Sequence, residues 1–124
     1  MTVLKRVREA GRTLPILVLT ALDALEMRLS DGRAFLHGAA LTETDIRAFV
    51  TLVRFDAAYH GLFKCNLRRV ADYPHLQAFM ERVLALPGVR DTVSIDHIKR
   101  GYYSIAALNP SRIVPLGPDL LWMR

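Results

Sequence analysis

Apolar and polar positions alternate along this chain with a helical period, broken by short turn signals. Residues 1–12 are polar and weakly patterned. Pro15 suits the first turn of a helix, where its missing N–H costs nothing. Leu22, Leu25 and Leu29 follow at i, i+3, i+7, so a helix of about 15 residues with one buried stripe is expected, ending at Asp31-Gly32. Leu36 to Leu41 reads as a loop. Thr42 and Asp45 then form a capping-box pair, and Leu41 and Ile46 flank it as a hydrophobic staple. Glu43 and Arg47 add an i,i+4 pair of the favourable polarity.

The helix starting at 43 and running to about residue 60 places Ile46, Phe49, Val50, Val53 and Ala57 on one face. Leu52, Phe55 and Tyr59 fall on a second. A helix apolar on so much of its circumference belongs in the middle of a bundle. His60-Gly61 marks its end, and LFKCNLRRVADYP reads as irregular or a short helix. Pro74 opens another helix with Leu76, Phe79, Met80 and Val83 inward, stopped by Pro87-Gly88. Ser94 can cap a helix over 95–103. Asn109 to Pro118 holds three prolines and a glycine, which predicts an extended tail lying over the surface. The fold class expected is all-α.

Composition narrows the function classes. The 124 residues suit one domain, and 52% hydrophobic content supplies a core. The net charge of +5 includes Lys5, Arg6, Arg8 and Arg12 near the start. No exposed aromatics interleave with a basic face, so nucleic-acid binding is not expected. The single cysteine, Cys65, permits no internal disulfide. Basic residues before LPILVLTALDAL give a faint signal-peptide pattern, but Asp23 and Glu26 interrupt it. No run reaches the ~20 apolar residues of a membrane span. A cytoplasmic protein is expected.

Candidate chemistry is sparse. Arg54 and Asp56 interrupt the most apolar helix. Two residues apart, they point in different directions, so Arg54 is expected to reach an acid elsewhere, such as Asp72 or Asp96. A lining or interface role is the alternative. Tyr59, Tyr102 and Tyr103 could each donate a hydrogen bond to a quinone or phenolate oxygen while packing against its ring, or could simply be core or interface tyrosines. Cys65 has Lys64, Arg68 and Arg69 nearby, as a nucleophile would. His37, His60, His75 and His97 show no metal-ligand spacing, so no metal is expected. His97 is expected to be structural.

Two stretches carry a family likeness: TETDIRAFVTLVRFDAAYH over 42–60 and IDHIKRGYYSIAALNPSRIVPLGP over 95–118. With HGLFKCNLRRVADYP and LPGV between them, they resemble the C-terminal, all-helical half of a glutathione transferase. More narrowly they are similar to the glutathionyl-hydroquinone reductases, or xi class. The resemblance implies a glutathione transferase C-terminal-like helical bundle over 21–124 with an extended C-terminal tail. Residues 1–20 match poorly and hold the start of the first helix.

In that family DHIKR precedes a tyrosine pair whose first member helps hold the hydroquinone oxygen. Tyr102 matches that tyrosine, with Gly101 where the family usually has histidine. FKCN is a structural element there. The attacking cysteine sits in a CPW-type motif of a preceding thioredoxin-like domain, which also binds most of the glutathione. No such motif occurs in these 124 residues. The resemblance therefore implies a chain that supplies the floor of an aromatic-substrate pocket and is inactive alone. Glutathione is the family's co-substrate. Expected partners are the thioredoxin-like domain, a second copy of the chain, or an aromatic or quinone small molecule. Two alternatives stand beside this: an enzyme that recruits Cys65 or a partner domain on another polypeptide, and a helical binding, scaffold or dimerisation module without catalysis.

Overall fold

The computed structural model describes residues 3–124, with side-chain surroundings from residue 15 onward. The fold is all-α as expected: α1 (Val3–Leu29), α2 (Glu43–Arg54), α3 (His60–Leu62), α4 (Pro74–Leu84) and α5 (Ile95–Tyr103). One isolated bridge, Phe35 to Gly38, is the nearest approach to a strand among the described residues. Helix α4 lies against both α1 and α2, and α5 packs on the segment after α2.

Helix α1 corrects the first expectation. It runs through Pro15 rather than starting there. Good helix formers, among them Leu4, Lys5, Arg6 and Ala10, precede the proline. The forfeited hydrogen bond at Pro15 therefore interrupts a helix already under way. The side chains of Lys5, Arg6, Arg8 and Arg12 lie outside the described residues. Leu22 and Leu29 are buried and Leu25 is half-buried, so the stripe read from spacing is the one that packs.

The helix from Glu43 also departs from the expected form. It continues to Leu62, and Phe55–Tyr59 within it is a π-helical turn. One extra residue in a turn rotates everything after it by about 100° relative to an uninterrupted α-helix. The members of the expected face that stay exposed, Ile46 and Val50, lie before this turn, so the offset does not account for them. Phe49, Leu52, Val53, Phe55, Ala57 and Ala58 are buried, while Ile46 and Val50 are exposed. Leu41 and Ile46, the expected staple, instead rim an open apolar groove with Val83, Leu86 and Val89.

Helix α4 begins with Pro74, and its N-cap residue Tyr73 makes no side-chain cap. Glu26 of α1 supplies the cap from outside: its carboxylate accepts the His75 N–H at 3.0 Å and the Leu76 N–H at 2.7 Å, and meets His75 Nδ1 at 2.7 Å. Burial opposes ionisation of Glu26, but these bonds outweigh it and hold the carboxyl below the usual glutamate range. A carboxylate at a helix N-terminus satisfies free donors and complements the dipole. Glu26→Ala is expected to cost about 1–2 kcal/mol, the size of a lost cap. A lowered folded pKa stabilises above the unfolded value, about 4.3, and that stability is lost as pH falls through the folded value. Urea melts at pH 7 and below pH 4 check both points: the gap to the unaltered chain should shrink in acid.

The tail is fixed by two anchors. Buried Lys99 on α5 donates to the Leu116 carbonyl at 2.7 Å and the Pro115 carbonyl at 3.4 Å. Beyond them Leu120 and Trp122 enter the core, and Arg90 Nη1 donates to the Trp122 carbonyl at 3.0 Å. The segment before these anchors is irregular and lies at the surface, as its prolines predict.

Candidate substrate-side site

The π turn delivers Tyr59, and α5 delivers Tyr102. Ser94 sets the start of α5 by accepting the His97 N–H at 3.3 Å. The helix runs unbroken through Gly101, around which an added Cβ would meet nothing within 4 Å. The two tyrosine hydroxyls lie 2.9 Å apart, with ring centroids 5.2 Å apart and planes at 80°. Phe63, one turn beyond Tyr59, stands 5.3 Å from the Tyr59 ring and 6.0 Å from the Tyr102 ring. Phe55 closes the far side at 6.2 Å from Tyr59. Edge-to-face aromatic contacts of this kind hold rings in fixed orientation.

Burial pushes the Tyr59 hydroxyl up to about 12, with the bond to Tyr102 acting in the same direction and the Arg54 charge opposing. Tyr59 is therefore a neutral phenol at physiological pH. When one hydroxyl donates to the other, the second keeps an O–H free to donate to a third oxygen. That is what a phenolate or quinone oxygen requires.

Tyr103 does not join this pair. Its hydroxyl sits against Gly61, where an added Cβ would lie 2.6 Å away, so residue 61 must stay small unless Tyr103 moves. Burial raises its hydroxyl as well. The Tyr103 carbonyl accepts Asn109 Nδ2 at 2.7 Å, tying the tail to α5.

Arg54 does not make the ion pair expected of it. Arg54 Nη1 donates to the Val50 carbonyl one turn back, and among the described residues it forms no ion pair. Neither Asp72 nor Asp96 reaches it: Asp72 accepts the Arg69 N–H at 2.8 Å and Asp96 pairs with Arg100 at 3.0 Å. Asp56 is the buried ion. It accepts the Val70 N–H at 2.6 Å and the Ala71 N–H at 3.3 Å, with Arg69 Nε 3.7 Å away. Its carboxyl is raised by burial, which outweighs the two N–H bonds and the Arg69 charge. Asp56 thus ties the π turn to the 3₁₀ turn at Val70–Asp72.

Thr42 and Asp45 form a larger unit than a cap. Asp45 is fully buried and accepts the Thr42 N–H at 2.7 Å and the Thr42 hydroxyl at 3.1 Å. Its other oxygen accepts the Leu36 N–H at 2.7 Å, fastening the preceding loop onto α2. Arg28 Nε and Arg82 Nη1 hold the same loop through the carbonyls of Leu36 and Ala34, at 2.6 and 2.5 Å.

Cys65 is buried, and burial raises its thiol, the direction opposite to a nucleophilic thiolate. No cluster of metal-ligating side chains occurs among the described residues. His37 meets Thr44 Oγ1 at 3.0 Å, His75 pairs with Glu26, and the backbone N–H of His97 donates to the Ser94 cap. Phe63 belongs to the tyrosine site and lies at i+4 from Tyr59, a spacing legible in the sequence. Glu26 and Arg69 carried no local signal.

Comparison with known proteins settles the family. Residues 6–82 match the family described as the glutathione S-transferase C-terminal domain. This chain belongs to that family. Glutathionyl-hydroquinone reductase PcpF of Sphingobium chlorophenolicum is 53% identical over 98 residues, 78% of this chain and 31% of the relative. The glutathione-bound structure of YqjG from Escherichia coli K-12 superposes with a TM-score of 0.89 at 38% identity, over 94% of this chain and 38% of that one. Glutathione S-transferase Xi from Phanerochaete chrysosporium gives a TM-score of 0.82 at 45% identity, over 86% and 35%. This C-terminal domain is thus homologous to glutathionyl-hydroquinone reductases, and it spans about a third of the length of these relatives. No described helix is long and apolar enough to cross a membrane.

Proposed function

We propose that the chain is the aromatic-substrate side of a glutathione-dependent transferase of the glutathionyl-hydroquinone reductase kind, inactive by itself. The observation that carries this is the Tyr59–Tyr102 hydroxyl pair at 2.9 Å, framed by Phe55 and Phe63. The pair donates one hydrogen bond to a hydroquinone oxygen while the surrounding rings pack on the substrate ring. Tyr103 supports that wall through its contact with Gly61 and does not touch the oxygen.

Reduction of a glutathionylated hydroquinone needs a thiolate to attack the glutathione sulfur and form a mixed disulfide, which a second glutathione resolves. The one cysteine of this chain is buried with a raised thiol, so it does not serve. The thiolate and most of the glutathione site belong to a thioredoxin-like domain. Exposed apolar side chains such as Ile16, Leu17, Met27, Ile113 and Leu116 support a covering partner, either that domain or a second copy of this chain. The working compartment in this reading is the cytoplasm.

Titrating the chain with hydroquinone, followed by tyrosine-ring resonances, tests the pair. Saturable shifts at Tyr59 and Tyr102 are expected, weakened about tenfold by Tyr102→Phe, the loss of one hydrogen bond of about 1.4 kcal/mol. Equal binding by Tyr102→Phe, or shifts confined to Tyr103, would contradict the reading.

A further inference from the structure

The tyrosine pair sits at one end of a seam between the central helix and α5, which pack against each other at the π turn. Further back along that seam lies a cavity of about 220 Å³. Val53 and Arg54 line it from α2, and Ser94, His97 and Ile98 line it at the start of α5. Neither Tyr59 nor Tyr102 lines it, but both helices lead from it to them. Arg54 precedes Tyr59 by five residues, and His97 precedes Tyr102 by five. Five helical residues rise about 7.5 Å, close to the reach of a benzene ring with polar groups at opposite ends.

This cavity carries a positive charge and no negative one. Arg54 is half-buried, and its Nη1 donates to the Val50 carbonyl. The Nε–Nη2 edge of the guanidinium, which can grip a carboxylate through two parallel bonds, has no partner among the described residues. No Asp or Glu lines the cavity. Asp96, beside it on α5, is paired with Arg100 at 3.0 Å. Ser94 Oγ accepts the His97 N–H and keeps its own O–H to donate. The Arg54 charge also acts on the Tyr59 hydroxyl, opposing its upward shift, so the cation and the tyrosine pair are electrostatic neighbours.

We propose that this cavity is an anion subsite of the substrate-side site, selecting hydroxyaromatic substrates that carry a carboxylate on the far side of the ring. The inference rests on the reading of Tyr59 and Tyr102 as the pair that holds the ring oxygen. With that oxygen on the pair, the ring lies along the seam. The carboxylate then accepts from Nε and Nη2 of Arg54 and from the Ser94 hydroxyl. A neutral group in the same place gains less, because bonds between charged partners are the stronger ones. An ammonium there would meet the Arg54 charge and be repelled.

The test titrates the full chain with 4-hydroxybenzoate, 4-hydroxybenzamide and hydroquinone, followed by the ring resonances of Tyr59, Tyr102 and His97. All three probes should move both tyrosines. The acid should bind about tenfold tighter than its amide and should also shift the His97 ring. Arg54→Gln should bring the acid to the affinity of the amide. Arg54→Lys keeps the charge without the planar fork and should restore part of the advantage. Equal affinity for acid and amide while both tyrosines respond, or an advantage that survives Arg54→Gln, would overturn the anion subsite and leave the tyrosine pair standing. Tyrosines that respond to none of the probes would overturn both. Should Arg54→Gln not fold, the acid–amide comparison on the unaltered chain, together with the His97 shift, decides.

Discussion

Asp56→Ala is expected to lower the stability of the fold by about 2–4 kcal/mol, from the buried Val70 N–H losing its acceptor at about 1–3 kcal/mol and the part-buried Ala71 N–H at less. The Val70 and Ala71 donors have no other partner in the loop, and Arg69 would lose the carboxylate its side chain pairs with. The π turn would lose its tie to the 3₁₀ turn, so Tyr59 should also drift from Tyr102. A urea melt with an unchanged slope and a lower midpoint measures the first effect. Broadened Tyr59 ring resonances report the second. Asp56→Asn keeps one acceptor oxygen and should lose less.

The pH dependence has a definite sign. Burial raises the folded carboxyl of Asp56 above its unfolded value of about 3.9, so the folded state binds the proton more tightly. The full benefit of this group is present below the unfolded value and is lost as pH rises through the raised folded one. Asp56→Asn removes that slope. Its stability relative to the unaltered chain should therefore improve from acid toward neutral pH.

The second large effect is at Asp45. Alanine there strips acceptors from the Leu36 and Thr42 N–H groups and from the Thr42 hydroxyl. A lost N-cap costs about 0.5–2 kcal/mol and a buried unmet N–H about 1–3 kcal/mol, so about 2–4 kcal/mol is expected. The melting temperature should fall by on the order of 10 °C. Amide exchange locates the damage: Leu36 and the first turn of α2 should exchange faster, while α5 should not. A uniform increase across the chain would mean that Asp45 acts on global stability rather than on this junction.

Much of this fold could be read from spacing because its helices are bounded by local chemistry. Thr42 with Asp45, Pro74 and Ser94 each mark a helix start through groups within one turn, and all three starts fall where those groups place them. What escaped depends on contacts far apart in the chain. The π turn at Phe55–Tyr59 accompanies the bonds from Asp56 to Val70 and Ala71, fourteen and fifteen residues away. No periodicity count shows that offset. Glu26 caps α4 across 49 residues, and nothing beside it marks that role.

The candidate site was legible in part. Chemistry singled out Tyr59, Tyr102 and Tyr103 together, and the family likeness put weight on Tyr102. That Tyr59 and Tyr102 share a hydrogen bond across 43 residues, with Tyr103 turned toward Gly61, follows from the packing of α5 on the π turn.

The most direct measurement is glutathione-dependent reduction of a glutathionylated hydroquinone by the purified 124-residue chain, beside its Cys65→Ala variant. The account predicts no turnover above the uncatalysed rate in either. Turnover that disappears with Cys65→Ala would contradict it, because a buried thiol would then be doing the work assigned to another domain.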